Sequence, residues 1–228
     1  MSFCHRLKGM RHNIFYRMLA RQKALDLLTL GEVENSFAWT ICPKEMGKNS
    51  IVVSAGAGRD ISFELQLIHR FGCRVILLDP SPTGIHTMSL RRNQHPNLIF
   101  WTQALVREDG SVGLAQPGNK DEGSFSCRNG GGNGPKVEGI SLATLMKREK
   151  LKRVDLLKMD IEGSEYGVIE SLLAENIRVR QICVEYHNQV LPWIKTSWTA
   201  GSLLRLWLAG WRIIHKSGSN HTLWNDRF

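Results

Sequence analysis

The chain has 228 residues, 42% of them hydrophobic, and a formal net charge of +9 at pH 7. That is one domain's length with room for a short extension, and enough apolar residues for a core. No apolar run reaches the roughly 18 residues of a membrane span, and no uninterrupted apolar segment follows the basic N-terminus, so neither a transmembrane helix nor a secretory signal is expected.

The five cysteines, Cys4, Cys42, Cys73, Cys127 and Cys183, are scattered and include no C-x-x-C pair. The odd count argues against a disulfide framework and for a reducing, cytoplasmic setting. The positive charge would suit an acidic partner such as nucleic acid, an anionic glycan or a membrane surface. It is spread out, however, and the only dense cluster is Lys147–Arg153, which reads as a solvated helix end. Nucleic acid is therefore not the expected partner.

In chain order, residues 1–30 read as helical, because Ile14, Phe15, Met18, Leu19, Leu25, Leu28 and Leu30 recur near helical spacing with basic residues between them. Gly31–Lys48 reads as a connector, which gives an N-terminal extension over 1–48 and a principal domain over 49–228. Ile51-Val52-Val53 is a short β-branched run, as of a buried strand. Ser54-Ala55-Gly56-Ala57-Gly58 follows with almost no side-chain bulk, and Asp60 opens a helical pattern, Phe63–Phe71, closed by Gly72. Strand, glycine turn and helix start form the layout of a nucleotide-binding α/β unit, with backbone N–H groups facing the ligand.

Cys73–Leu78 is a second apolar run, ending at Asp79-Pro80-Ser81-Pro82. An acidic residue about 20 positions after the glycine turn is placed to bond a ribose diol. Thr83–Asn93 reads as the next helix and Asn97–Val106 as a third strand region. Glu108–Gly134 is turn-rich, with a small strand around Gly123–Cys127 and a mobile Gly/Asn loop over Asn129–Pro135. Ser141 caps a helix over Leu142–Lys150. Val154–Met159 is a fourth strand, Ser164–Glu175 a helix, Gln181–Glu185 a fifth strand, Asn188–Lys195 a loop and Thr199–Ala209 a helix. Trp211–His215, a Gly218-Ser219-Asn220 turn and His221–Trp224 read as a β-hairpin.

The run Lys158-Met159-Asp160-Ile161-Glu162-Gly163-Ser164-Glu165 closely resembles the K-[IM]-D-[VI]-E-G-x-E signature of FkbM-type methyltransferases. The likeness extends from about Trp39 to the C-terminus. One departure stands out: Ser54 occupies a position where many members carry an acidic residue. The resemblance implies a class I, Rossmann-like α/β fold: a mostly parallel seven-stranded sheet with helices on both faces. A C-terminal antiparallel hairpin would put the seventh strand between the fifth and sixth.

It also implies S-adenosyl-L-methionine as cofactor and O-methylation of a sugar or other small-molecule hydroxyl. Cofactor contacts are expected from Ser54, Gly56, Ala57, Gly58, Asp60, Asp79, Pro80, Ser81 and Asp160, with Gln103 or Ala104 at the adenine. Methyl transfer to a hydroxyl needs aligned reactants and a proton acceptor. Asp160, Glu162 and His187 fall where the central strands end, and His187, with an ordinary pKa near 6.5, is the expected base.

Lys158 should pair with Asp160 or Glu185, because an unpaired charge in a central strand is costly. Asp160, Glu162 and Glu185 could gather around a divalent ion, but no ligand spacing demands one and no metal is expected. The expected partner is a small-molecule or glycan acceptor, with a homodimer left open. Two alternatives remain: an NAD(P)-binding Rossmann oxidoreductase, against which the hairpin and signature argue, and a basic non-catalytic module that binds nucleic acid or membrane.

Overall fold

The computed structural model describes residues 14–34, 37–115, 125–128, 134–187 and 196–228. Residues 14–19 are helical, and the chain then extends into β1 (Leu28–Leu30), antiparallel to β2 (Trp39–Ile41). The helix expected through residue 30 therefore stops early. Leu28 and Leu30 sit two apart, which suits a strand, and Leu30 packs in the core with Trp39 and Ile41. The stretch expected as a connector holds β2, which is bonded to the sheet: Gln181 accepts from the Cys42 N–H at 3.1 Å and donates to the Cys42 carbonyl at 3.0 Å.

The central sheet is built from β3 (Ile51–Ala55), β4 (Arg74–Leu78) and β5 (Leu98–Trp101), joined by four strands from later in the chain. Between these groups the chain forms β6 (Ala104–Leu105), β7 (Gly110–Ala115), β8 (Ser126–Arg128) and β9 (Lys136–Ile140), a separate sheet of order β6-β9-β7-β8. The expected third strand region is thus split between two sheets, and the segment expected to be turn-rich contains β7 as well as β8 near the small strand expected there. There Val112 and Leu114 anchor a strand that its glycines had disguised. The proposed Gly/Asn loop, apart from Gly134 and Pro135, and the Asn188–Lys195 loop lie outside the described residues.

Then come β10 (Val154–Met159), β11 (Val179–Glu185), β12 (Trp211–Ser217) and β13 (Asn220–Asn225). The seven-stranded order is β12-β13-β11-β10-β3-β4-β5. The pairings from β11 to β5 are parallel, while both pairings of β13 are antiparallel. The sheet is therefore mixed rather than mostly parallel. The two-residue connection Gly218-Ser219, with Gly218 at φ 56°, forces β13 to run back along β12 and puts it between β12 and β11. That placement of the last strand is the one the resemblance implied.

All six residues of β10 are buried, as a central strand covered on both faces requires. Alternation sorts the neighbours into two cores. Val53, Leu157 and Ile182 pack with the helices Leu142–Arg148, Glu165–Ala174 and Thr196–Leu208, whereas Val52, Leu156 and Cys183 pack with the helix Ser62–Phe71. The remaining helix is Pro82–Ser89, shorter than expected and followed by a 3-10 turn over Arg91–Asn93. Among the described residues no helix is long and apolar enough to cross a membrane.

Candidate active site

A cavity of about 270 Å³ opens where β3, β4, β10 and β11 end. Its wall is continuous from Gly56-Ala57-Gly58 through Asp79-Pro80-Ser81 and Ala104-Leu105 to Asp160-Ile161-Glu162 and Glu185, and Leu114 of β7 and Cys127 of β8 close one side. Ligands of open α/β sheets sit at this end of the strands.

The glycine turn is tight for a structural reason. Gly56 has φ 92°, and a Cβ built there would lie 2.0 Å from the Asp160 carbonyl oxygen. The Asp160 N–H in turn donates to the Ala55 carbonyl at 3.0 Å, so the ends of β3 and β10 touch. Gly58, at φ 52°, has open space where a Cβ would be.

Asp79 is engaged with its own protein. One carboxylate oxygen accepts from the N–H groups of Ala57 at 2.9 Å and Gly58 at 3.0 Å; the other accepts from Ser81 at 2.8 Å. The turn's amides therefore face Asp79 rather than a ligand, which corrects the sequence reading. Ser81 is also engaged: its hydroxyl caps the helix Pro82–Ser89 by accepting from Gly84 N–H at 3.0 Å. Asp60 lines the cavity while accepting from the Ser62 N–H at 2.9 Å.

The second turn explains the E-G-x-E spacing. Glu162 has φ 51° and Gly163 φ 103°, two consecutive left-handed residues. Glu165 folds back to hold them, accepting from Ile161 N–H at 3.2 Å and Gly163 N–H at 2.8 Å. Its carboxylate is fully buried and also meets His187 Nδ1 at 2.7 Å. The other ring nitrogen, Nε2, lies 3.5 Å from both Asp160 and Glu162.

Burial alone would lower the His187 pKa. The hydrogen bond and charge of Glu165, with the charges of Glu162 and Asp160, outweigh it and hold the imidazole up at about 9. His187 is thus an imidazolium at neutral pH, and it does not reach the cavity wall. Both facts count against its expected role as general base.

Glu185 was not among the expected catalytic residues. It lines the cavity and accepts from the Ser219 hydroxyl at 2.8 Å. Burial, and then the neighbouring charge of Asp160, raise its carboxyl above the ordinary 4.5. Asp160, Glu185 and His187 offer ligand atoms within 4.8 Å of one another, a spacing compatible with a divalent ion.

The Lys158 amine does not pair with Asp160 or Glu185. It donates to the Gly56 carbonyl and lies 5.6 Å from the Trp39 ring centroid. Gln103 turns away and donates to Glu138 at 3.1 Å, which leaves Ala104 as the cavity residue of that pair. Ser54 is fully buried and absent from the wall, because Glu64 covers it: the Ser54 hydroxyl donates to Glu64 at 2.5 Å. Glu64, Lys158, Trp39 and Phe37 all line the cavity and were missed as site residues. A charged residue in an otherwise apolar strand or helix face was the available signal.

Residues 47–200, more than half of the chain, match the model of the methyltransferase FkbM domain. The protein therefore belongs to the FkbM methyltransferase family. Over 164 residues it is 26% identical to a curated relative, the "Probable methyltransferase-like protein 24" of Rattus norvegicus. That match covers 70% of this chain and 39% of the relative, so the chain spans about two fifths of the relative's length.

Among solved structures, the fibrillarin/Nop5p complex matches at 13% identity and TM-score 0.46, covering 80% of this chain and 75% of that one. M. capricolum TrmK in complex with S-adenosyl-homocysteine matches at 10% identity and TM-score 0.39, covering 81% of this chain and 68% of that one.

Proposed function

We propose that the chain binds S-adenosyl-L-methionine in this cavity and methylates a hydroxyl of a sugar or another small molecule. The observation that carries the reading is the cavity itself. It joins the glycine turn, the Asp79-Pro80-Ser81 corner and the family's Asp160-Ile161-Glu162 segment in one wall. The residues fit the cofactor's parts. Leu78, Ala104 and Leu105 offer an apolar slot for a purine, Asp79 retains lone pairs for a diol, and the carboxylates of Asp160 and Glu185 suit the region of a sulfonium. When bound, the cofactor supplies an electrophilic methyl group for in-line displacement.

The protein's own contribution is to align the acceptor, exclude water and take up the hydroxyl proton. In this reading Glu185 takes the proton, since its raised carboxyl pKa favours protonation at the end of the reaction. His187 positions Asp160 and Glu162 through its ring and takes up no proton.

Calorimetry with S-adenosylhomocysteine, NADH and a generic oligonucleotide tests the cofactor. Binding of S-adenosylhomocysteine alone is expected, and binding of NADH or the oligonucleotide instead would overturn the reading. With an acceptor found by screening glycans and hydroxylated small molecules, Glu185→Gln should lower turnover by about 10²–10⁴-fold and leave S-adenosylhomocysteine affinity unchanged. Full activity in that variant would remove Glu185 from proton transfer.

A further inference from the structure

Two buried charges of opposite sign share the cavity wall without pairing with each other. Glu64, in the first turn of the helix Ser62–Phe71, is 2% exposed, and Lys158, in β10, is 5% exposed. The partner of Glu64 is a neutral hydroxyl, that of Ser54. The partners of Lys158 are the Gly56 carbonyl and the face of Trp39. Neither makes an ion pair with another described residue, although both line the same cavity. A charge held out of water needs a counter-charge or it is costly to keep. Here the missing counter-charges are one cation for Glu64 and one anion for Lys158.

A ligand with an ammonium and a carboxylate on one carbon, the zwitterionic end of an α-amino acid, supplies both. We propose that Glu64 and Lys158 form a clamp for the amino-acid end of the cofactor, Glu64 taking the ammonium and Lys158 the carboxylate. The proposal rests on S-adenosyl-L-methionine being the cofactor, since its methionine moiety is that zwitterion. It also accounts for Ser54. Where many family members carry an acidic side chain at the end of this strand, the chain has a serine, and the serine's hydroxyl orients a carboxylate delivered from the next helix. The negative charge is kept and its attachment point moves from strand to helix.

Two probes separate the clamp from the rest of the pocket: S-adenosylhomocysteine, and 5′-methylthioadenosine, which keeps the nucleoside and sulfur but lacks the amino-acid end. Calorimetry on wild type, Glu64→Gln, Lys158→Met and the double variant Ser54→Asp/Glu64→Leu is the experiment. Glu64→Gln preserves shape and can still accept from Ser54. It should weaken S-adenosylhomocysteine about ten- to a hundredfold with methylthioadenosine affinity unchanged. Lys158→Met should show the same selectivity, and the double variant, with its carboxylate back on the strand, should recover most of the lost affinity.

Equal loss for both probes in Glu64→Gln, or no loss for either, would overturn the clamp while leaving the cofactor assignment standing. A wild-type protein that binds neither probe would overturn the assignment and the clamp together.

Discussion

Two turns face each other across the cavity and use the same device. In each, residues at positive φ expose backbone N–H groups, and a buried carboxylate a few positions or one strand away collects them. Asp79 does this for Ala57 and Gly58; Glu165 does it for Ile161 and Gly163. The difference lies in what else each carboxylate meets. Asp79 has only neutral donors and stays on the cavity wall. Glu165 is fully buried and bonded to an imidazole that it helps keep charged. A carboxylate held by amides alone can share its remaining lone pairs with a ligand. One locked to a buried cation serves as fixed scaffold, and the cavity-facing acids Asp160 and Glu162 are positioned from it.

The comparison breaks most sharply at Glu165. Glu165→Ala removes the acceptor of two turn amides and the counter-charge of a buried imidazolium, so it should cost about 3–5 kcal/mol, read from urea unfolding. The same pair has a pH signature. The folded-state pKa of His187, about 9, lies above its ordinary 6.5. A raised value means that its contribution is fully present below about pH 6.5 and is lost as pH rises through about 9. The melting temperature should fall across that window at fixed salt, and His187→Gln should flatten the fall. An unchanged slope in the variant would show that His187 is not charged in the fold.

Much of this was legible because parallel central strands and signature turns are local. Val154–Met159 and the Gly72 helix cap follow directly from an apolar run and a left-handed glycine, and E-G-x-E marks its turn within eight residues. What escaped depended on contacts distant in sequence. The β6–β9 sheet is glycine-rich and pairs strands up to about thirty-five residues apart, so its alternation is weak. Leu28 and Leu30 fit a helix or a strand equally until Trp39 and Ile41 arrive beside them. Glu64 looked like an ordinary helix residue, and only the burial of Ser54 beneath it reveals its place in the site. A pKa near 9 for His187 needs three carboxylates from separate positions, which no spacing rule assembles.

On the other turn, the glycines separate by geometry. A Cβ at Gly56 meets the Asp160 carbonyl at 2.0 Å, whereas one at Gly58 meets nothing within 4 Å. Gly56→Ala should therefore cost about 3 kcal/mol, from overpacking and left-handed strain together. Gly58→Ala should cost about 1–2 kcal/mol, from strain alone. The contact with β10 makes a bulky residue at position 56 a folding defect before it is an obstacle to a ligand. Similar losses at the two positions, measured in the same unfolding series, would mean that the turn relaxes away from β10.

The smallest effect separates holding from binding at Asp79. Asp79→Asn keeps the size but replaces one acceptor oxygen with an NH₂ donor. In one amide orientation the NH₂ faces the Ser81 N–H; in the other it faces the Ala57 and Gly58 N–H groups. Either way donor meets donor, and the carboxylate's charge is gone from the bonds that remain. The loss should be about 1–2 kcal/mol of stability, less than for Glu165→Ala because no buried cation is left unpaired.

If Asp79 also bonds a ribose diol, S-adenosylhomocysteine affinity should fall further than the stability change explains. That excess should persist at low temperature, where the variant is fully folded. Affinity equal to wild type under those conditions would confine Asp79 to holding the turn, and the diol would then need another acceptor on the Pro80–Ser81 side of the wall.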